Sequence, residues 1–412
     1  MSSPLACPRV LFLRIFFEDL MYKIRTYNNI ASRGLERFSR EYFAVGSEII
    51  DPHAMLLRSY KLCADDLSPS LRAVARAGAG VNNIPVDACT EQGIVVFNTP
   101  GANANSVKEL VLAALLISSR DIVGGIQFVS SLKDITDEAE LNRLVEAEKK
   151  RFRGRELRGK SLGVVGLGAI GSLVARAALD LGMEVLGYDP AISVEAAWRL
   201  PSEVQRMANL PSLFARSDYV TLHVPLLPET EGLINEESLR SFRSGSILLN
   251  FARQPIVESE ALRAALDDGR VASYIADFPV PGLTEHPRVR LTPHLGASTD
   301  EAEENCAVMA ADQLVEFLSI GNIRNSVNFP AVSLEPSGGY RLAVTNRNVP
   351  GMLSQMMSVL ADRQINVIDM INKSREGVAY NLIDIAEEAE PALIDAICAI
   401  DSVMNVREFQ IS

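Results

Sequence analysis

Residues 161–171, Ser-Leu-Gly-Val-Val-Gly-Leu-Gly-Ala-Ile-Gly, set a short apolar run directly before three glycines in the spacing Gly-x-Gly-x-x-Gly. The run reads as a buried strand. Gly166, Gly168 and Gly171 then permit a tight turn, close approach of the backbone to a pyrophosphate, and close packing of the next helix. Free backbone N–H groups at that helix start would face the phosphates. Ile170, Val174, Ala177, Ala178 and Leu181 fall at helical spacing, Gly182 ends the helix, and Glu184 to Tyr188 reads as the next strand. Asp189 closes it, eighteen residues past the last glycine. A carboxylate there accepts from a ribose 2′-hydroxyl and repels a 2′-phosphate, which points to NAD rather than NADP. The competing reading is a plain βαβ crossover without a ligand.

The 412 residues allow two to four domains, and 48% hydrophobic content supplies their cores. Forty basic against fifty-two acidic residues give a net charge of −12, which argues against nucleic acid or an anionic membrane as partner. Cys7, Cys63, Cys89, Cys306 and Cys398 show no metal-ligand spacing and no disulfide framework, as expected of reduced cytoplasmic thiols. No apolar run reaches the ~20 residues of a membrane span. Residues 1–20 lack a basic start, an unbroken apolar stretch and a small-residue cleavage site. They are expected to be a non-native extension, with the functional chain starting at Met21.

From Met21 to about Pro100, short apolar runs alternate with helical stretches and turns, the pattern of an open parallel α/β sheet. Ligands bind at the carboxyl ends of such strands, which puts Arg58, Ser59, Gly80, Asn82 and Asn103 on one rim of a site. Arg58 reads as an anion-binding group or as a surface charge. After the glycine loop, strands are expected near Tyr219–Val224, Ile247–Asn250, Ala272–Asp277 and Val289–Thr292. A long helix over Thr299–Ile320 follows. Beyond the Pro/Ser/Gly-rich stretch 331–339, residues 340–412 read strand, helix, strand, strand, helix, strand, a ferredoxin-like βαββαβ unit. So small a unit buries little surface alone, which suggests a homo-oligomer. The fold expected is thus two doubly wound Rossmann-like domains, residues 21–103 with 295–330 and residues 104–294, followed by the small βαββαβ domain.

Alcohol oxidation by a nicotinamide enzyme requires a residue to take the hydroxyl proton, and an imidazole suits that step. Of His53, His223, His286 and His294, only His294 sits on a turn after a strand and before a helix, in Leu291-Thr292-Pro293-His294-Leu295-Gly296. It reads as the acid/base, with a structural histidine as the alternative. His223, inside an apolar strand, reads as a packed or cofactor-side residue, and His53 and His286 as surface loop residues. Arg253 closes the run Ile247–Ala252, where its planar fork suits an α-carboxylate. Its alternative is an ordinary surface charge.

With these pieces in order, GAGVNNIPVDACTEQGIVVFNTPGANANSVKEL, GLGAIG with Asp189, LHVPL with Thr230, NFARQ, PHLGAST and NRNVPGML with Asn366, the chain resembles the D-3-phosphoglycerate dehydrogenases. These belong to the D-2-hydroxyacid dehydrogenases, here in the form with a C-terminal ACT regulatory domain. The resemblance implies NAD-dependent oxidation of 3-phospho-D-glycerate to 3-phosphohydroxypyruvate, the first committed step of serine synthesis. It implies His294 as general acid/base and Arg253 as carboxylate clamp. Arg58 and Ser59 correspond to a substrate-side strand end, and Gly80, Val81 and Asn103 to the opposite wall. Ala169, Ile170, Asp189, Phe251, Ala252, Asp277, Gly296 and Ala297 correspond to cofactor contacts. Asn348 and Asn366 correspond to ACT interface positions that hold a small amino-acid effector, serine being the one implied.

Three positions depart from that pattern. Gln254 follows Arg253 where the family has glycine, and Asn82 stands where it often has aspartate. A glutamate that would pair with the histidine and favour imidazolium is missing, since Asp277-Phe278-Pro279 runs on as Val280-Pro281-Gly282; Glu285 is the nearest substitute. Two other readings stand beside the main one: a dehydrogenase of another D-2-hydroxy acid, and a NAD-sensing binding protein with weak turnover.

Overall fold

The computed structural model describes residues 21–411, apart from the side chain of Glu195; the expectation for residues 1–20 lies outside them. Two units are resolved, one of residues 21–102 with 303–411 and the other of residues 103–302.

The second unit is built on seven parallel strands: β6 (Ser161–Val165), β7 (Glu184–Tyr188), β8 (Gln205–Arg206), β9 (Tyr219–Leu222), β10 (Ser246–Asn250), β11 (Val271–Ala276) and β12 (Val289–Leu291), ordered β12-β11-β10-β9-β6-β7-β8. Every residue of β6, β9 and β10 is buried, as a parallel sheet covered on both faces demands. Strand order reverses between β6 and β9, so the crevice for a ligand opens at their carboxyl ends, beside Gly166 and His223. The helix Ile122–Ser131 leaves Ile122, Val123, Ile126 and Val129 exposed.

The first unit carries five parallel strands, β1 (Tyr22–Thr26), β2 (Phe43–Gly46), β3 (Ala54–Leu57), β4 (Ala73–Arg76) and β5 (Val95–Phe97), ordered β2-β1-β3-β4-β5. Its reversal lies between β1 and β3, so the carboxyl end of β3, where Arg58 and Ser59 follow, is the favoured place for a ligand. The helix Asp300–Ile320 packs into this sheet's core through Cys306, Ala310, Leu314 and Phe317.

In the same unit, β13 (Gly339–Arg347), β14 (Val367–Arg375), β15 (Val378–Ile385) and β16 (Val403–Ile411) form an antiparallel sheet ordered β14-β15-β13-β16, with the helices Met352–Asp362 and Pro391–Cys398 on one face. The other face is not left to solvent or to a second chain. Ala343, Tyr380, Leu382, Phe409 and Ile411 share one core with Phe97, Phe317 and Phe329, so all eight residues of β15 are buried. Arg341, fully buried, donates to both oxygens of Asp384 at 2.6 and 2.9 Å and to the carbonyls of Ile320 and Glu335. Ser337 donates to Asp384 as well, and Val332 pairs in both directions with Ile323. The stretch 331–339, the linker of the domain division expected above, is held at Val332, Glu335 and Ser337.

His53 corrects a second expectation. It is buried rather than a surface loop residue, because its backbone bonds both Lys23 on β1 and Arg72 before β4, which places it between strands. Its Nδ1 accepts from the Lys23 N–H at 3.1 Å. Burial, helped by the charges of Arg72 and Lys23, pushes its pKa down to about 4. The unfolded chain binds that proton near pH 6.5, so the stability due to the neutral ring is complete above 6.5 and drains away as pH falls towards 4. Urea unfolding at pH 7, 6 and 5 is expected to show a decline from this group that steepens below pH 6.5 towards a limit of about 1.4 kcal/mol per pH unit. His53→Asn is expected to reduce the measured slope by this group's share, leaving that of buried His223, and an unchanged slope would remove His53 as a contributor.

Candidate active site

The cofactor end of the second unit follows from its glycines. Gly166 is left-handed (φ +90°), and a β-carbon on it would press on the backbone of His223 at 2.8 Å. A β-carbon on Gly171 would collide with the carbonyl of Gly166, so the helix Ala169–Asp180 packs against the turn only through glycine. A β-carbon on Gly168 would meet nothing within 4 Å, and no side chain caps the helix that begins there. Open space above uncapped N–H groups, with Gly168 and Ala169 exposed and Ile170 half-buried, suits a pyrophosphate. Asp189 accepts from the N–H of Leu167 at 2.8 Å and of Ala191 at 2.9 Å. Each oxygen keeps a further lone pair for ribose hydroxyls. His223 has a buried Nδ1 with no partner among the described residues, and Nε2 lies 2.9 Å from Thr221 Oγ1. Burial drives its pKa down to about 3, so the ring is neutral at physiological pH. Thr230 closes the following turn by bonds to Pro225 and Leu227.

Along this one sheet edge the strand ends carry, in spatial order, His294 (after β12), Asp277 (β11), Arg253 (β10), His223 (β9), Gly166 (β6) and Asp189 (β7). With strands about 4.8 Å apart, Arg253 and His294 leave the edge roughly 10 Å from each other. Asn250, fully buried at the end of β10, shapes the arginine's loop. It donates to the carbonyl of Arg253 and accepts from the N–H of Ala252, while Phe251 and Ala252 lie buried beneath. The Arg253 guanidinium is exposed, bonds only its neighbour's carbonyl (Ala252, 2.7 Å), and has no carboxylate partner among the described residues. Nothing in the sequence around Asn250 pointed to that role.

His294 is itself left-handed (φ +60°), a conformation costing about 1–2 kcal/mol for a residue with a β-carbon. What holds it there is Asp277. One carboxylate oxygen accepts from the Thr292 hydroxyl (2.6 Å) and the Leu295 N–H (2.7 Å), the other from the Gly296 N–H (2.7 Å). Asp277 is 2% exposed, and both its oxygens serve the histidine turn. Gly296 is buried with its missing β-carbon 3.0 Å from Asp277, and Ala297 is half-buried beside it. The exposed imidazole touches Phe278, centroids 4.9 Å apart and planes tilted by 60°. It has no carboxylate partner among the described residues, and exposed Glu285 does not reach it.

In the first unit, Arg58 pairs with Glu303 of the helix Asp300–Ile320 at 2.6 Å. Arg76 donates to the carbonyls of Arg58 (3.0 Å) and Gly80 (2.5 Å), and Asn83 donates to those of Arg58 and Tyr60. Asn28 accepts from the N–H groups of Ser59 and Tyr60. Arg58, Ser59 and Gly80 are thus tied by Arg76, Asn83 and Asn28, with half-buried Val81 in the same turn and Asn82 exposed. Asn103 belongs to the other unit, where its carbonyl caps the helix Ala104–Ser119.

Residues 126–296 match the NAD-binding domain of the D-isomer specific 2-hydroxyacid dehydrogenases. A D-3-phosphoglycerate dehydrogenase of Haemophilus influenzae is 34% identical over 375 residues, covering 87% of each chain. This chain belongs to the D-3-phosphoglycerate dehydrogenase family. Its cofactor is NAD. A second family member, from Methanocaldococcus jannaschii, is 34% identical over 333 residues, 79% of this chain but 60% of that protein, so the chain spans about three fifths of that relative's length. The NAD+-bound 3-phosphoglycerate dehydrogenase of Entamoeba histolytica is 26% identical with a TM-score of 0.58, covering 75% of this chain and 99% of that one.

The two effector positions taken from the family are apart. Asn348 follows the end of β13 that pairs with Val378, and exposed Asn366 precedes the end of β14 that pairs with Ile385. They lie at opposite ends of the antiparallel sheet, roughly 25 Å apart along the strands.

Asp277→Asn should loosen the turn, since an amide placed against the Gly296 N–H offers a donor to a donor. A fall in turnover of about 10- to 100-fold is expected, with NAD affinity held within a few-fold. Stopped-flow NADH formation beside fluorescence titration of NADH measures both. Equal loss of cofactor binding would assign Asp277 a direct cofactor role instead.

Proposed function

We propose that this dehydrogenase oxidises 3-phospho-D-glycerate to 3-phosphohydroxypyruvate, the first step of L-serine biosynthesis. The observation that carries this reading is the pairing, on one sheet edge beyond the NAD loop, of an exposed imidazole fixed on a strained turn with an exposed guanidinium free of any described carboxylate. Arg253 clamps the substrate carboxylate through two parallel N–H donors. His294 takes the proton of the 2-hydroxyl as general base, and returns it as general acid when the reaction runs backwards. NAD, when bound, accepts the hydride from the carbinol carbon. Asp277 keeps the imidazole where a substrate hydroxyl can reach it. Arg58 takes the phosphate.

We read the antiparallel tail as an ACT-type regulatory module responding to a small amino acid such as serine. The separation of Asn348 from Asn366 means that one effector touching both needs two copies of the chain, which ties regulation to a homo-oligomer. No described helix is long and apolar enough to cross a membrane, and a cytoplasmic location fits this chemistry.

A second reading, a NAD-binding sensor with weak turnover, rests on the imidazole's lack of a carboxylate partner. Purified protein given NAD and 3-phospho-D-glycerate should form NADH, read by absorbance, and His294→Ala should lower kcat by ~10²–10⁴-fold. NAD binding without turnover on any D-2-hydroxy acid would favour the sensor. Arg58→Ala should raise KM for 3-phospho-D-glycerate far more than for D-glycerate; equal effects would point to a different D-2-hydroxy acid as substrate.

A further inference from the structure

Arg58 is not an open anion site. Its guanidinium is held by the Glu303 carboxylate, and both side chains are 39% exposed. The surroundings are fixed: Arg76 and Asn83 grip the Arg58 carbonyl, and Glu303 projects from the first turns of the helix Asp300–Ile320, whose Cys306, a turn further on, is buried in the core. The charges of Arg58, Arg76 and Glu303 all reach the Cys306 thiol, so two guanidiniums and one carboxylate occupy the same small region.

We infer that Glu303 is a displaceable counter-ion of the substrate's phosphate, a specificity-determining residue that occupies Arg58 until a dianion takes its place. The inference rests on the reading of Arg58 as the phosphate group's partner. A carboxylate and a phosphate compete for the same N–H donors, and a phosphate carrying nearly two charges outbids one carrying a single charge. Because the pair is half in water, breaking it is easy: exposed pairs of this kind are worth at most about a five-fold change in an equilibrium. Glu303 therefore raises the substrate concentration at which Arg58 is engaged without closing the site. A substrate with no terminal anion does not contest the pair and gains nothing from its removal.

Glu303→Gln keeps the shape and removes the charge. Steady-state kinetics should show the ratio of KM for D-glycerate to KM for 3-phospho-D-glycerate rising two- to five-fold, with inorganic phosphate becoming a stronger inhibitor by the same factor. On an Arg58→Ala background the substitution should have no further effect on either. A higher KM for the phosphorylated substrate in Glu303→Gln would overturn the inference, by showing that the carboxylate orients Arg58 productively. If Arg58→Ala leaves discrimination between the two substrates intact, the phosphate reading of Arg58 fails. If Arg58→Ala abolishes discrimination while Glu303→Gln changes nothing, only the counter-ion role fails. Thermal unfolding of both variants separates these outcomes from loss of fold.

Discussion

The carboxyl edge of the sheet in the NAD-binding unit depends on one buried carboxylate. Asp277 gathers a hydroxyl and two successive backbone N–H groups around itself, and in doing so fixes a histidine in a conformation that residues with a β-carbon avoid. Charge-assisted bonds in a buried setting are each worth about 1.5–3 kcal/mol, so three of them outweigh the strain at His294 several times over. The exposed ring can therefore lack hydrogen-bonded partners of its own and still be held in place, since it is positioned through its backbone. On the neighbouring strand end Asn250 does the same for Arg253. His294 and Arg253 face outward because two buried polar side chains face inward.

What was legible in the sequence was whatever a few adjacent residues decide. The glycine triplet, the acid eighteen residues on, and the arginine and histidine at the ends of apolar runs are local patterns, and each sits at a strand end of the same sheet. The order of elements in the tail was readable for the same reason, from alternating strand and helix periods. The work done by Asp277 was not readable, because its partners come fifteen to nineteen residues later and meet it only through the register of β11 on β12. Glu303 meets Arg58 across most of the chain, by way of a helix that returns to the first sheet. His53 looked like a loop residue beside Pro52, yet the backbone pairing of β1 with β3 draws it inside. Asn348 and Asn366 are close in sequence, but antiparallel pairing with β15 sends them to opposite ends of the sheet.

The tail departs furthest from its sequence pattern. Read alone, it has one face covered by two helices and one face to spare. In the folded chain the spare face is filled by Phe97, Phe317 and Phe329 of the same unit, and the Arg341–Asp384 pair is fully buried. A buried ion pair adds little net stability compared with an apolar pair of the same size, but it tolerates only one alignment. The bonds from Arg341 to the carbonyls of Ile320 and Glu335 fix how β13 leaves the long helix, and with it the seating of the entire sheet. The tail is thus seated on the core it shares with the parallel sheet, not hung from a loose tether.

That seating also has a bearing on the order of events during synthesis. The unit of residues 103–302 is contiguous and can close as soon as it leaves the ribosome, whereas the unit that contains Arg58 takes its core from both before and after it. At about 5–20 residues per second, strands β1 to β5 wait roughly 10–40 s for the residues that complete them. During that interval the apolar flanks of this parallel sheet lack the helix that covers them in the folded chain.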